Sequence, residues 1–246
     1  MSAFAGPEIS NEGLVLYFDA ANPKSYPGSG TVWTDLSASG NTGTLLAGPT
    51  YNSSNSGFLT FDGIDEYVST PLTYQNANAY TMSTWIRTSV AQRSGLIGFR
   101  RTYTAVDWWQ SQIYIAGDNL AQTTGSFLNI DEFNLTGTTF RARRNIFYQT
   151  SVTTGNWINI AITSNNVGVT LYINGVQAAQ DNTTPTPIRY DATTFLVAAA
   201  GNWPSTTPLA GYYFNGNMST VSFYTRSLSA AEITQNFTAL RSRYGI

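Results

Sequence analysis

Apolar and polar residues along this chain of 246 residues alternate with the period of a strand far more often than with that of a helix. Leu14–Phe18 is apolar at every position, which predicts a strand covered on both faces and central in a sheet. Phe58–Phe61 and Glu66–Ser69 read as short strands around an Asp62-Gly63 turn, and Thr81–Thr88 and Leu96–Arg100 follow. Ile158, Ile160 and Ile162 alternate, as do Val167, Val169, Leu171 and Ile173. Asn174-Gly175 then predicts a type I′ hairpin turn, because both central residues need positive φ, and Val176 opens the return strand. Asn22–Gly30 and Asp35–Gly43 have loop composition, and Pro185, Pro187, Pro204 and Pro208 punctuate the route to the last strand, which carries Met218, Val221 and Phe223. The period changes only after that strand. Ser229 and Glu232 have capping-box spacing, Ile233, Phe237, Leu240 and Tyr244 recur at helical spacing, and Gly245 can stop the helix. The pattern predicts roughly a dozen strands and one C-terminal helix. Residues 1–12 are small and polar, contain Pro7 and show no periodicity, so they predict an arm. Residues 13–246 contain no linker-like stretch and no internal repeat, and read as a single domain.

Composition narrows the chemistry. Only 11% of residues are charged and the net charge is −2, with Lys24 the sole lysine, so no strong field attracts nucleic acid or anionic lipid. The chain has no histidine and no cysteine. That excludes histidine acid–base catalysis, Ser-His-Asp triads, thiol nucleophiles, the usual zinc sites and disulfides. The opening MSAFAGPEISNEG lacks the basic and apolar regions of a secretory signal. The longest apolar run, Phe195–Ala200, is too short to cross a bilayer, so no membrane insertion is expected.

Six stretches then carry a resemblance: Gly13–Leu45, FLTFDGIDEYV (Phe58–Val68), TMSTWIRT (Thr81–Thr88), GNWINIAIT, VTLYINGVQ, and the closing Tyr212–Ile246. In this order they resemble laminin-G-like, concanavalin A-like jelly-roll modules, especially those of tailed-bacteriophage virion proteins. The resemblance implies an all-β fold, an antiparallel β-sandwich with a short C-terminal helix. It also implies a non-enzymatic structural or accessory role on the surface of a capsid or tail, against other virion proteins and copies of itself. The alternative is a lectin-like receptor-binding module that holds host-surface carbohydrate.

The candidate residues follow from these two readings. Glucanases of this fold carry an E-x-D-x-x-E strand, and no such spacing exists among the five glutamates. Asp62, Asp65 and Glu66 read as a turn, and adjacent Asp131 and Glu132 must point to opposite faces. The family's calcium loop implies hard oxygens at Asp35, Ser37 and Asn41. Its second half, an acid in the final strand, is replaced by neutral Asn217 and Ser219. An Asx-turn network is the plainer account of that loop, and no cofactor is expected, with a structural calcium ion the alternative. Tyr103, Trp108, Trp109 and Trp203 could stack on sugar rings. Arg141, Arg143 and Arg144 form the only basic cluster, with Arg141 and Arg143 on one strand face, and suit a partner contact or a solvated edge. Phe4 and Ile9 are the large anchors of an arm expected to reach a neighbouring subunit.

Overall fold

Strand alternation sorts side chains onto two faces, and in the computed structural model two antiparallel eight-stranded sheets turn their apolar faces toward each other. The structure describes residues 8–73, 79–101, 111–116, 126–136, 139–183, 193–199, 208 and 211–246. In chain order the strands begin with β1 (Leu14–Asp19), β2 (Val32–Trp33), β3 (Gly43–Leu46), β4 (Thr50–Asn52), β5 (Phe58–Asp62), β6 (Tyr67–Ser69), β7 (Ala79–Arg87) and β8 (Ser94–Arg101). They continue with β9 (Ser111–Ala116), β10 (Phe127–Thr136), β11 (Thr139–Tyr148), β12 (Trp157–Asn165), β13 (Val169–Ile173), β14 (Val176–Asp181), β15 (Thr193–Val197) and β16 (Asn215–Tyr224). The first sheet runs β14-β13-β12-β7-β16-β5-β4, with β1 also paired to β16, and the second runs β11-β10-β9-β8-β15-β6-β3-β2.

Register turns the alternation into a core. Ile158, Ile86, Met218, Leu59 and Tyr51 are successive cross-strand partners in the first sheet. In the second, Leu45, Val68, Val197, Ile97, Ile113, Ile130 and Ile146 form the matching row. Phe223 joins the layers, with its ring centroid 5.1 Å from Phe99 and 5.7 Å from Phe195. Each such aromatic pair adds about 0.5–1.5 kcal/mol beyond the area it buries.

The outer face of the first sheet is also apolar over much of its width, because the C-terminal helix α1 (Ala230–Leu240) lies on it. Trp85, on β7, is stacked between Tyr244 at 4.1 Å and Phe237 at 5.6 Å. The expected capping box is present: Ser229 Oγ accepts from Glu232 N, and the Glu232 carboxylate accepts from Ser229 N at 2.9 Å. The α-helix ends at Leu240, and Tyr244 sits in a following 3₁₀ turn closed by Gly245 at φ 74°. The Asn174-Gly175 turn takes positive φ at both residues, 49° and 77°. Gly175 is required twice over, since a Cβ there would come within 2.9 Å of Phe237 Cβ.

Two expectations are corrected. β1 is not central: among the described residues β16 is its only strand partner, and the loop beyond β2 completes its free edge, Leu36 N donating to Tyr17 O at 2.9 Å. Both of its faces are nonetheless covered, which is why the sequence is apolar throughout. The arm is not free over Glu8–Glu12. Ile9 packs against the Trp85, Trp157 and Leu240 cluster, Ser10 N donates to Asn236 Oδ1 at 2.7 Å, and Arg226 Nε donates to Glu12 O at 2.8 Å. An apolar groove beside α1 competes with any outside partner for Ile9, and it is always at hand. Phe4 lies outside the described residues.

Candidate functional site

The same register that builds the core lines up a second row on the opposite face of the first sheet. Trp157, Arg87, Asn217, Thr60 and Thr50 are successive cross-strand partners on β12, β7, β16, β5 and β4. Strands stand about 4.8 Å apart, so the row extends roughly 19 Å. The 3₁₀ turn after α1 covers Trp157 through Tyr244, at 4.8 Å between centroids. Arg87, Asn217 and Thr60 are half-buried and Thr50 is exposed. Arg87, Asn217 and Thr60 line a cleft of about 220 Å³ together with Thr88, Ser89, Asn215 and Gly216. Gly216 lets β16 pass close to β7, since a Cβ there would lie 2.8 Å from Arg87 O and 2.7 Å from the Phe214 ring.

The cleft is rich in donors. The Arg87 guanidinium carbon lies 5.1 Å from the Phe58 ring centroid and 5.2 Å from that of Trp157, so two aromatic faces fix its position. Thr60 Oγ1 donates to Asn217 Oδ1 at 2.8 Å, which turns the Asn217 amide nitrogen outward. Thr88 Oγ1 donates to Asn215 O at 2.7 Å and accepts from Val90 N at 3.0 Å, fixing the loop that forms the cleft's far wall. Sequence reading missed Arg87, Asn217 and Thr60. The only signal was their polar place in strongly alternating strands; register alone unites them.

A larger cleft, about 520 Å³, lies between the arm, β1 and α1, and its lining includes Glu8, Tyr17, Asp19 and Arg243. Two of its charges, Asp19 and Arg243, satisfy each other. Arg243 Nη1 donates to Asp19 Oδ1 and Oδ2 at 2.9 and 2.8 Å, and Ala21 N donates to Asp19 Oδ1 at 2.9 Å. Burial, then the Asp19 charge, pushes the Tyr17 phenol well above its ordinary range. This arrangement ties the C-terminal turn to β1.

The sequence-predicted residues divide into three groups. Asp35, Ser37 and Asn41 do come together, but as a closed network. Tyr17 N and Ser37 N donate to Asp35 Oδ1 at 2.8 Å each, and Ser37 Oγ and Asn41 N donate to Oδ2 at 2.7 and 2.8 Å. Four donors fill the carboxylate's acceptor sites. Asn41 Nδ2 donates to Val15 O, and Ser37 Oγ accepts from Ser39 N. The groups present do not fit a cation, because N–H and O–H donors occupy the directions calcium would take. Arg141, Arg143 and Arg144 lie on β11, an edge strand whose register shifts at Asn134/Leu135 and leaves Arg141 as the extra residue. Tyr103, Trp108, Trp109 and Trp203 lie outside the described residues.

The acidic trio forms a turn. Asp62 Oδ1 accepts from Ile64 N at 2.8 Å, and Glu66 Oε2 accepts from Asp62 N at 2.7 Å. Burial pushes the Glu66 carboxyl up, the Asp62 N–H pulls it down, and the charges of Asp62 and Asp65 push it up again. Among the described residues no group of three His, Cys, Asp or Glu side chains is placed to hold a metal ion.

Comparison with known proteins agrees with this architecture. A search of curated proteins by sequence gives no match. Among solved structures, the binding domain of Paraclostridial Mosquitocidal Protein 1 superposes with a TM-score of 0.65 at 14% identity over 92% of this chain and 52% of that one. Domain 4 of AbnA, a GH43 extracellular arabinanase from Geobacillus stearothermophilus solved with arabinotriose, gives 0.63 at 15% identity over 92% and 99%. The binding domain of Botulinum neurotoxin DC in complex with SialylT gives 0.62 at 14% identity over 94% and 52%. The chain thus spans about half the length of these toxin domains. At such identities the likeness establishes the fold, a concanavalin A-like β-sandwich. The family model for the concanavalin A-like lectin/glucanases superfamily matches residues 61–234, most of the chain, and the protein belongs to that superfamily.

Proposed function

We propose that this protein is a non-enzymatic, lectin-like binding module that holds carbohydrate in the open cleft on the first sheet. The observation that carries the reading is the transverse row Arg87–Asn217–Thr60. It places a fixed guanidinium, an outward amide nitrogen and a hydroxyl side by side on a rigid sheet. Sugars are polyols rich in acceptors, and a donor-lined, pre-formed cleft is what binds them without reorganisation. The AbnA domain, of nearly the same extent, was solved holding an oligosaccharide, which supports the same reading here. Catalysis is disfavoured because Asp19, Asp35 and Glu232 each accept several hydrogen bonds, and Asp62 and Glu66 are used within a turn.

A glycan array probed with labelled protein, followed by amide NMR with each hit, tests this. Hits should shift the amides of Thr88, Gly155 and Asn217 and release no reducing sugar. Hits that leave those amides unmoved, or hydrolysis of laminarin or agarose, would refute it. The virion role implied by the sequence resemblance is the second reading, with the edge strand β11 and its arginines as the surface it would use. Its expected anchor at Ile9 is occupied within the chain, which is why the glycan reading is placed first.

A further inference from the structure

Arg87 differs from the other well-placed arginines of the structure. Arg226 is hydrogen-bonded to Glu232 and Arg243 to Asp19. No described carboxylate or carbonyl accepts from Arg87; it rests against Phe58 and Trp157, two rings that meet edge to face with centroids 5.5 Å apart. A guanidinium carries five N–H donors in a planar fork. Resting the guanidinium against two rings, with no carboxylate or carbonyl taking its N–H groups, prepares it to grip a planar anion and removes part of the entropy cost of doing so.

Resting on the glycan-binding reading, the geometry points to an acidic sugar as the occupant: a uronate ring whose carboxylate is bridged by Arg87 and whose hydroxyl accepts from the Asn217 amide. Three features select that ligand. Arg87 is the sole cation lining the cleft among the described residues, so it matches one negative charge and not a dianion. The neighbouring strand sets Asn217 about 4.8 Å away, the scale of a carboxylate and a hydroxyl on one pyranose ring. The volume, about 220 Å³, lies below the roughly 300–1,000 Å³ that houses drug-sized molecules, so it admits one ring.

The test compares methyl β-glucuronide with methyl β-glucoside, which differ only in the carboxylate, by titration monitored at the Arg87 Nε–H and at the amides of Thr88 and Gly216. The glucuronide should bind at least about tenfold more tightly, the worth of one charge-assisted hydrogen-bond pair. That preference should vanish in Arg87→Gln, persist in part in Arg87→Lys, and weaken as ionic strength rises from about 0.01 to 1 M. Equal binding of both sugars with shifts in the cleft would overturn the acidic specificity while leaving the binding module standing. Inorganic sulfate that shifts Arg87 as strongly as glucuronide would also overturn it, marking a generic anion site. Absence of any shift with either sugar would overturn the uronate assignment and remove glucosides from the module reading as well. Unchanged thermal melting of both variants ensures that lost binding reports the guanidinium and not unfolding.

Discussion

Acid should loosen the C-terminal helix through one carboxyl group, Glu232. Its carboxylate accepts from Arg226 Nη1 at 3.0 Å and from Arg226 Nη2, from Ser229 N and Oγ at 2.9 Å each, and from Ser10 Oγ at 3.1 Å. These bonds, Arg226 foremost, hold its pKa at about 2 against the ordinary 4.5, although partial burial works the other way. The folded state therefore binds its proton less readily than the unfolded chain. The stabilisation is fully present above about pH 4.5 and is lost as pH falls toward 2. At 1.36 kcal/mol per unit the shift corresponds to an upper bound of about 3.4 kcal/mol. The side chains of Arg226 and Glu232 are 26% and 27% exposed, and solvent screening of such a pair lowers the expectation to about 1–2 kcal/mol. In a domain of this size that is about 3–6 °C in Tm. Urea melts followed by tryptophan fluorescence suit the question, because Trp85 and Trp157 lie beneath the C-terminal segment. Between about pH 6 and pH 3 the wild type should lose about 1–2 kcal/mol more than Glu232→Gln, and Arg226→Gln should erase the difference. Parallel losses in wild type and Glu232→Gln would show that the carboxylate does not latch arm, strand and helix together.

Three further outcomes are expected. Asp35→Ala should cost about 2–4 kcal/mol in urea denaturation, since several donors lose a buried acceptor, while EDTA leaves the wild-type Tm unchanged; a large EDTA effect absent in Asp35→Ala would restore the calcium alternative. Asp19→Asn should destabilise by on the order of 3 kcal/mol because Arg243 keeps its charge in a largely buried place, and a near-neutral effect on the melt would contradict the pairing. Deleting residues 1–11 should lower Tm measurably by exposing the groove that holds Ile9 and by removing the Ser10 bonds, whereas an unchanged Tm would mean the arm's contacts contribute nothing.

Local signals reached furthest where one stretch settles its own structure. The Ser229–Glu232 cap, the positive-φ Asn174-Gly175 turn and the alternation of Ile158–Ile162 each depend on residues within a few positions of one another, and each is found as read. The Asp35 loop was legible for the same reason: an Asx carboxylate meets the backbone N–H two residues on, whatever the rest of the chain does. Apolar runs were harder, because burial has more than one cause. Leu14–Phe18 lies at a sheet edge, yet Leu16 and Phe18 are in the core and Leu14 packs against the Tyr224, Leu228 and Ile233 cluster, and composition cannot distinguish this from a central strand.

The sequence by itself determined that the chain is an all-β sandwich closed by a capped helix and devoid of histidine and thiol chemistry. Only the tertiary structure decided which residues share a face. Arg87, Asn217 and Thr60 are separated by up to 157 positions, and Thr60 meets Asn217 only because β5 pairs with β16 in one register. A slip of one residue would turn Asn217 into the core and Met218 out of it. The burial of Met218 against Ile86 and Leu59 therefore sets the position of the polar row on the far side, so the site is fixed by the packing of a core in which it takes no part.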